Sequence, residues 1–240
     1  PDRVVNAMFK FKEEFFHRFG MLFELRMFEC LKEPKRFARR HGVFDSSLYL
    51  NMLHYQAVPL HTSLCTLAEQ RERIGAVQTF HLVLGYMDGQ GDDSVRETKC
   101  KQLQDLAIRI CGLRDEIYVQ IMKQLSRNPN SESRHRGWEL LLSCLAVFPP
   151  SDAFENYLDY FLRQNSRPAY VRELYRRIYL GADRTSIRSS GVYRRLSTAG
   201  LLWKKDDGIE RKSTKCLRKS VKSLSSKSWN DNSLAPTMSP

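Results

Sequence analysis

The residues of this 240-residue sequence best equipped for chemistry are four histidines (His54, His61, His81 and His135), six cysteines and the aspartates of the stretch MDGQGDDS. A nucleophile-and-base centre needs a thiol or hydroxyl beside an imidazole that a third group orients, and no histidine here has such a partner at a recognisable spacing. Asp88, Asp92 and Asp93 share one loop, but their spacing departs from the calcium-binding loop and no glutamate closes it at the twelfth position. The glycines of that loop do not follow a strand, and neither a dinucleotide fingerprint nor a phosphate-binding GxxxxGK[ST] is present. Cys30, Cys65, Cys100, Cys111, Cys144 and Cys216 lie far apart without a CxxC pair, which predicts reduced thiols rather than a zinc site or a disulfide frame. Asp115 and Glu116 are adjacent and so point about 100° apart on a helix, unsuited to paired acid–base work. These residues predict a chain that is not an enzyme and that uses no cofactor and no catalytic or structural metal.

The elements that must position any site read as helical. In GLRDEIYVQIMKQLSRNPN, the residues Leu113, Ile117, Ile121 and Leu125 recur every four positions, with Tyr118 and Met122 widening the stripe. Asp115 and Glu116 fall in the first turn, where the helix dipole favours negative charge, and are expected to meet an arginine as well. Asn128-Pro129 is the expected stop. A helix from Asn130 or Ser131 to the break at Pro149-Pro150 follows, then one capped by Ser151, then one from Pro168 to a left-handed stop at Gly181. Upstream, Ile74 to Leu84 and Cys100 to Ile110 show the same period, Val4 to Leu31 reads as an aromatic-rich helix, and Val43 to Leu67 reads as short pieces around Pro59. The expected fold class is all-α: a compact multi-helix bundle with short connections, followed by a disordered basic tail.

Charge divides the chain further. The formal charge is +12, yet residues 43–183 carry sixteen Lys/Arg against seventeen Asp/Glu, while residues 184–240 carry thirteen against four. This predicts an N-terminal aromatic-rich helix over 1–42 packed on the domain, a helical domain over 43–183 and a Ser/Lys/Arg-rich disordered tail over 184–240. Ser197, after the basic pair in RRLS, is the expected phosphate acceptor. Every apolar run is interrupted by a charge well before the roughly 20 residues of a membrane span. The chain opens on Pro1 without a secretory signal, so it reads as an internal piece of a longer cytoplasmic protein.

Taken in order, GLRDEIYVQIMKQLSRNPN and ESRHRGWELLLSCLAVFPPS resemble the central signature of the myosin tail homology 4 (MyTH4) domain, with further echoes in PLHTSL, FHLVLGYMDG and FENYLDYFL. RGWEL, CLAVFPPS and YLDYFL are most similar to the branch found in Rho GTPase-activating proteins that also carry WW domains. The resemblance implies an all-helical module of unconventional myosins, some kinesins and certain Rho GTPase regulators. It also implies a neighbouring FERM or GTPase-activating domain and a non-catalytic, cytoskeleton-associated role in binding microtubules or seating cargo.

On the physical reading, Leu113, Arg114, Asp115, Glu116, Tyr118, Gln120, Trp138 and Glu139 are structural, their rings and polar pairs locking neighbouring helices. Tubulin is acidic, so the expected partner surface is basic. Two clusters are available near folded elements: Lys35, Arg36, Arg39 and Arg40, and Arg163, Arg167, Arg172, Arg176 and Arg177. Two alternatives stand beside the cytoskeletal reading: a protein adaptor in a Rho GTPase regulator without microtubule binding, and polyanion binding (acidic lipid, or with less support nucleic acid) through the basic tail.

Overall fold

The computed structural model describes residues 2–41, 51–89 and 92–181, with the side chains of Arg40 and His41 excepted. The tail from residue 184 onward, with Ser197, lies outside these residues. Among the described residues eight α-helices form: α1 (Asp2–Phe19), α2 (Pro34–His41), α3 (Gln70–Met87), α4 (Asp93–Arg109), α5 (Arg114–Leu125), α6 (Ser131–Leu145), α7 (Glu155–Gln164) and α8 (Pro168–Tyr179). They contain no strand; Leu31 and Cys65 make one isolated antiparallel bridge. The all-α architecture is the one the apolar spacing requires.

α5 is the centre of the bundle. Every residue from Glu116 to Leu125 is buried, and a helix enclosed on all sides is a core element rather than an amphipathic surface helix. α3 and α6 pack directly on it, α4 packs on α3, and α8 packs on α6, α7 and α1. Tyr118 and Gln120 are both fully buried.

Local signals explain most boundaries. The Asn130 side chain accepts from the Ser133 amide at 3.0 Å and starts α6. Pro168 opens α8, where its missing N–H costs nothing, and Gly181 follows it at φ +66. Three boundaries differ from expectation. α1 ends at Phe19 rather than near Leu31, because the chain turns through two 3-10 segments, Gly20–Phe23 and Leu25–Met27. A Cβ at Gly20 would lie 2.3 Å from the Tyr160 ring, so this approach to α7 requires glycine. α5 stops at Leu125, before Asn128-Pro129, with Ser126 extended and Arg127 at φ +56. Ser151 accepts from the Phe154 amide at 3.3 Å, but the helix proper begins only at Glu155. The short helix α2 was not foreseen, since Phe37 is its only large apolar residue.

Close packing at Gly137 ties three helices together. A Cβ there would stand 2.7 Å from Met87 Cε of α3 and 2.8 Å from Leu125 Cδ2 of α5. A Gly137→Val substitution is expected to cost about 2–3 kcal/mol through overpacking, read as a lowered urea midpoint with unchanged slope; an unchanged midpoint would show that the junction has slack.

Candidate functional site

Glu116, Lys123 and Gln124 of α5 satisfy backbone groups of the irregular segment 51–69. Glu116 is fully buried, and its carboxylate accepts from the Leu64 amide at 2.8 Å, the Cys65 amide at 2.7 Å and the Gln120 side chain at 2.8 Å. Burial pushes this carboxyl above the usual range, against the opposing effect of those donors. Gln120 also donates to the Ala76 carbonyl at 2.8 Å and accepts from Thr79 at 3.0 Å, which fixes α3. Lys123 donates to the His54 carbonyl. Gln124 both accepts from the Gln56 amide, at 3.0 Å, and donates to its carbonyl, at 2.8 Å, as an added strand would.

The remaining signature residues brace the other side. Asp115 accepts from the Ser151 amide at 2.8 Å and hydroxyl at 2.6 Å, and Tyr118 donates to the Phe148 carbonyl at 2.6 Å, so both pin the turn between α6 and α7. No arginine hydrogen-bonds this acidic pair among the described residues; Arg114 Nε donates to the Ala107 carbonyl at 3.2 Å. Backbone amides inside the bundle offer what a guanidinium at the surface would. Trp138 stacks on Phe161 with ring centroids 5.8 Å apart and meets the Tyr170 edge at 5.7 Å, joining α6 to α7 and α8. Glu139 is half-exposed and lies 3.6 Å from His135.

A second polar network holds α1. Lys12 is nearly buried, pairs with Glu155, donates to Asn156 at 2.9 Å and stands 4.0 Å from Asp159. Asp159 is fully buried and also receives Tyr175 and, at 2.8 Å, Arg163. The i,i+4 spacing of Asp159 and Arg163 was this network's one trace in the sequence.

The two basic clusters fare differently. Arg163 donates to the Phe9 carbonyl at 3.1 Å and lies 4.6 Å over the Phe9 ring; Arg172 lies 4.5 Å over the same ring. Arg176 pairs with Asp2 at 3.5 Å and Glu173 at 3.6 Å, Arg177 donates to the Val147 carbonyl, and Arg167 lies 4.4 Å over Trp138. These five are internal braces more than an outer face. Lys35, Arg36 and Arg39 instead stand exposed on α2, around a Phe37 that is 0% exposed.

The chemical candidates are placed apart from any reaction centre. Asp92 caps α4 by accepting from the Val95 amide at 3.0 Å, which holds its carboxyl below the usual range, and Asp93 pairs with Arg96. His61 and His81 line one shallow groove that contains no carboxylate or thiol among its lining residues. Burial pushes the thiols of Cys65 and Cys144 well up and that of Cys100 up to about 12, away from the reactive thiolate. Among the described residues no three His, Cys, Asp or Glu gather as metal ligands, and no helix is long and apolar enough to cross a membrane.

A helical scaffold whose signature residues are spent on holding loops and turns defines a structural module, and comparison with known proteins says which. Residues 100–191 match the family model described as MyTH4 domain. The high molecular weight form of myosin-1 from Acanthamoeba castellanii is 34% identical over 184 residues, covering 77% of this chain and 12% of that protein. Unconventional myosin-VIIb from Mus musculus is 56% identical over 64 residues, 27% of this chain and 3% of that protein. The solved MyTH4-FERM MF1 domain of Dictyostelium discoideum myosin VII is 27% identical with a TM-score of 0.50, covering 55% of this chain and 30% of that one. This chain carries a MyTH4 domain. It spans only a small fraction of the myosins it matches.

Removing the central clamp leaves two buried amides orphaned, so Glu116→Ala is expected to cost about 3 kcal/mol and to accelerate hydrogen exchange at Leu64 and Cys65 first. Unchanged exchange at those two amides would remove the clamp from the account. Lys123 gives a pH signature. Burial lowers its pKa from 10.5 to about 7, so between these values the unfolded chain binds the extra proton and this group's contribution to stability rises with pH. Lys123→Met removes this pH-dependent contribution together with the bond to the His54 carbonyl, so the parent is expected to gain stability relative to the variant between pH 7 and pH 10 in paired urea titrations. A pH-independent difference would count against a neutralised lysine.

Proposed function

We propose that this chain is a non-catalytic protein-binding module of a cytoskeletal motor protein, and that α2 presents the surface by which it meets the acidic face of a microtubule. The observation that carries the reading is the α2 geometry: Phe37 is sunk in the core while Lys35, Arg36 and Arg39 remain exposed. A short helix anchored by one ring holds its cations in fixed relative positions, which favours a charged polymer over diffuse counterions. The myosin relatives support a motor parent over a Rho GTPase regulator, and the Dictyostelium structure supports a FERM domain as a neighbour. On this reading the parent protein works in the cytoplasm on the cytoskeleton.

Arg172, Arg176 and Arg177 are poor probes of this idea, because reversing their charge strips braces from α1 and from the turn after α6. The informative variant is Lys35→Glu with Arg36→Glu and Arg39→Glu. Its co-sedimentation with microtubules at low salt is expected to fall roughly tenfold, and the parent's binding to weaken steeply as salt rises. Equal co-sedimentation of variant and parent would leave the adaptor reading, with microtubules irrelevant.

A further inference from the structure

A groove separate from α2 opens between the turn Phe23–Arg26, the end of α5, the start of α6 and the end of α7, with a cavity volume of about 740 Å³. Four arginines line it, Arg26, Arg127, Arg134 and Arg167, against one carboxylate, Glu24. Glu24 is already taken by Arg26, at 2.6 Å. Among the described residues none of Arg127, Arg134 and Arg167 has a carboxylate within 4.0 Å, and Arg134 donates only to the Asn128 carbonyl.

The bland account of these cations is that they complement helix ends. Arg127 follows the C-terminus of α5 and Arg167 that of α7, each worth roughly half a negative charge. That offsets about one of the three unpaired positive charges and leaves the surplus. Arg167 is the more telling. Its guanidinium carbon lies 4.4 Å from the Trp138 ring centroid, while its Nε is buried and has no acceptor among the described residues. With Nε enclosed, the planar fork of the two Nη groups is what can meet a carboxylate bidentately. Beside it the groove floor is apolar, from Phe161, Leu53 and Leu125.

We infer that this groove docks a short acidic peptide segment of a protein partner, one carboxylate taken by Arg167, flanking acids by Arg127 and Arg134, and a large apolar side chain by the floor. The inference rests on the reading of the chain as a protein-binding module and specifies a second surface, distinct from α2. The charge balance selects acidic residues, and the apolar side chains Phe161, Leu53 and Leu125 in the lining select against a ligand that is charge alone.

The test is panning a phage-displayed library of random twelve-residue peptides on the full chain, followed by fluorescence polarisation of the most enriched peptide. Acidic residues flanking Phe or Leu are expected to dominate. The enriched peptide should bind the Arg127→Glu/Arg134→Glu variant roughly tenfold more weakly, both side chains being exposed and the fold undisturbed. Arg167→Lys, which keeps the charge and removes the planar edge, should also weaken it. The triple α2 variant should bind the peptide like the parent, so failure of the microtubule reading and failure of this one are separate results. Enrichment without acids, equal affinity for the Arg127/Arg134 variant, a peptide lost on the α2 variant, or full competition by polyglutamate or phosphatidylserine vesicles would each overturn the proposal.

Discussion

A loop cannot enter a protein interior unless its peptide groups find partners, and that constraint shapes this module. The segment 51–69 lies against α5 with little secondary structure of its own, so its amides and carbonyls need partners from outside it. Backbone bonds to Cys30, Lys32 and Ser126 supply some, and Glu116, Lys123 and Gln124 supply those of His54, Gln56, Leu64 and Cys65. Because these side chains are themselves enclosed, each would be costly without the loop, and the loop would be costly without them. Helix and segment are thus mutually obligatory. The MyTH4 signature is dense in polar residues for this reason, and its acids and amides serve packing rather than reaction.

How much of this the sequence showed depended on which physical signal each feature leaves. Helix positions are written in the 3–4 spacing of residues such as Leu113, Ile117 and Ile121, and the starts at Asn130 and Pro168 are local chemistry. α2 left too weak a trace, a single ring among cations. The burial of Gln120, Lys123 and Gln124 could not be seen either, because a helix enclosed on all faces shows no polar side to contrast with its apolar stripe. Asp115 and Glu116 were expected to find an arginine; they found backbone N–H groups from segments 36 and 51 residues away in sequence, and long-range backbone partners leave no local pattern.

The arginines carry a related lesson about charge. Five cations near α7 and α8 look like one basic face when counted along the chain. In space they are partly buried against rings, carbonyls and, for Arg176, the carboxylates of Asp2 and Glu173, with Arg163 and Arg172 sharing the Phe9 ring. Their aliphatic stems and planar heads make them packing residues that happen to be charged. Of the two clusters, the exposed cations among the described residues are Lys35, Arg36 and Arg39 on α2.

The pairing of α1 with α8 also decides how the module would respond to a pull. Asp2 meets Arg176 at one end of the pair, and Phe9 meets Arg172 further along, so the two helices run antiparallel. Tension entering before α1 and leaving after α8 therefore acts at the same end and opens the pair like a zipper, breaking its contacts in turn rather than loading them together. α1 would peel away as a sacrificial strap while the clamped centre stayed shut.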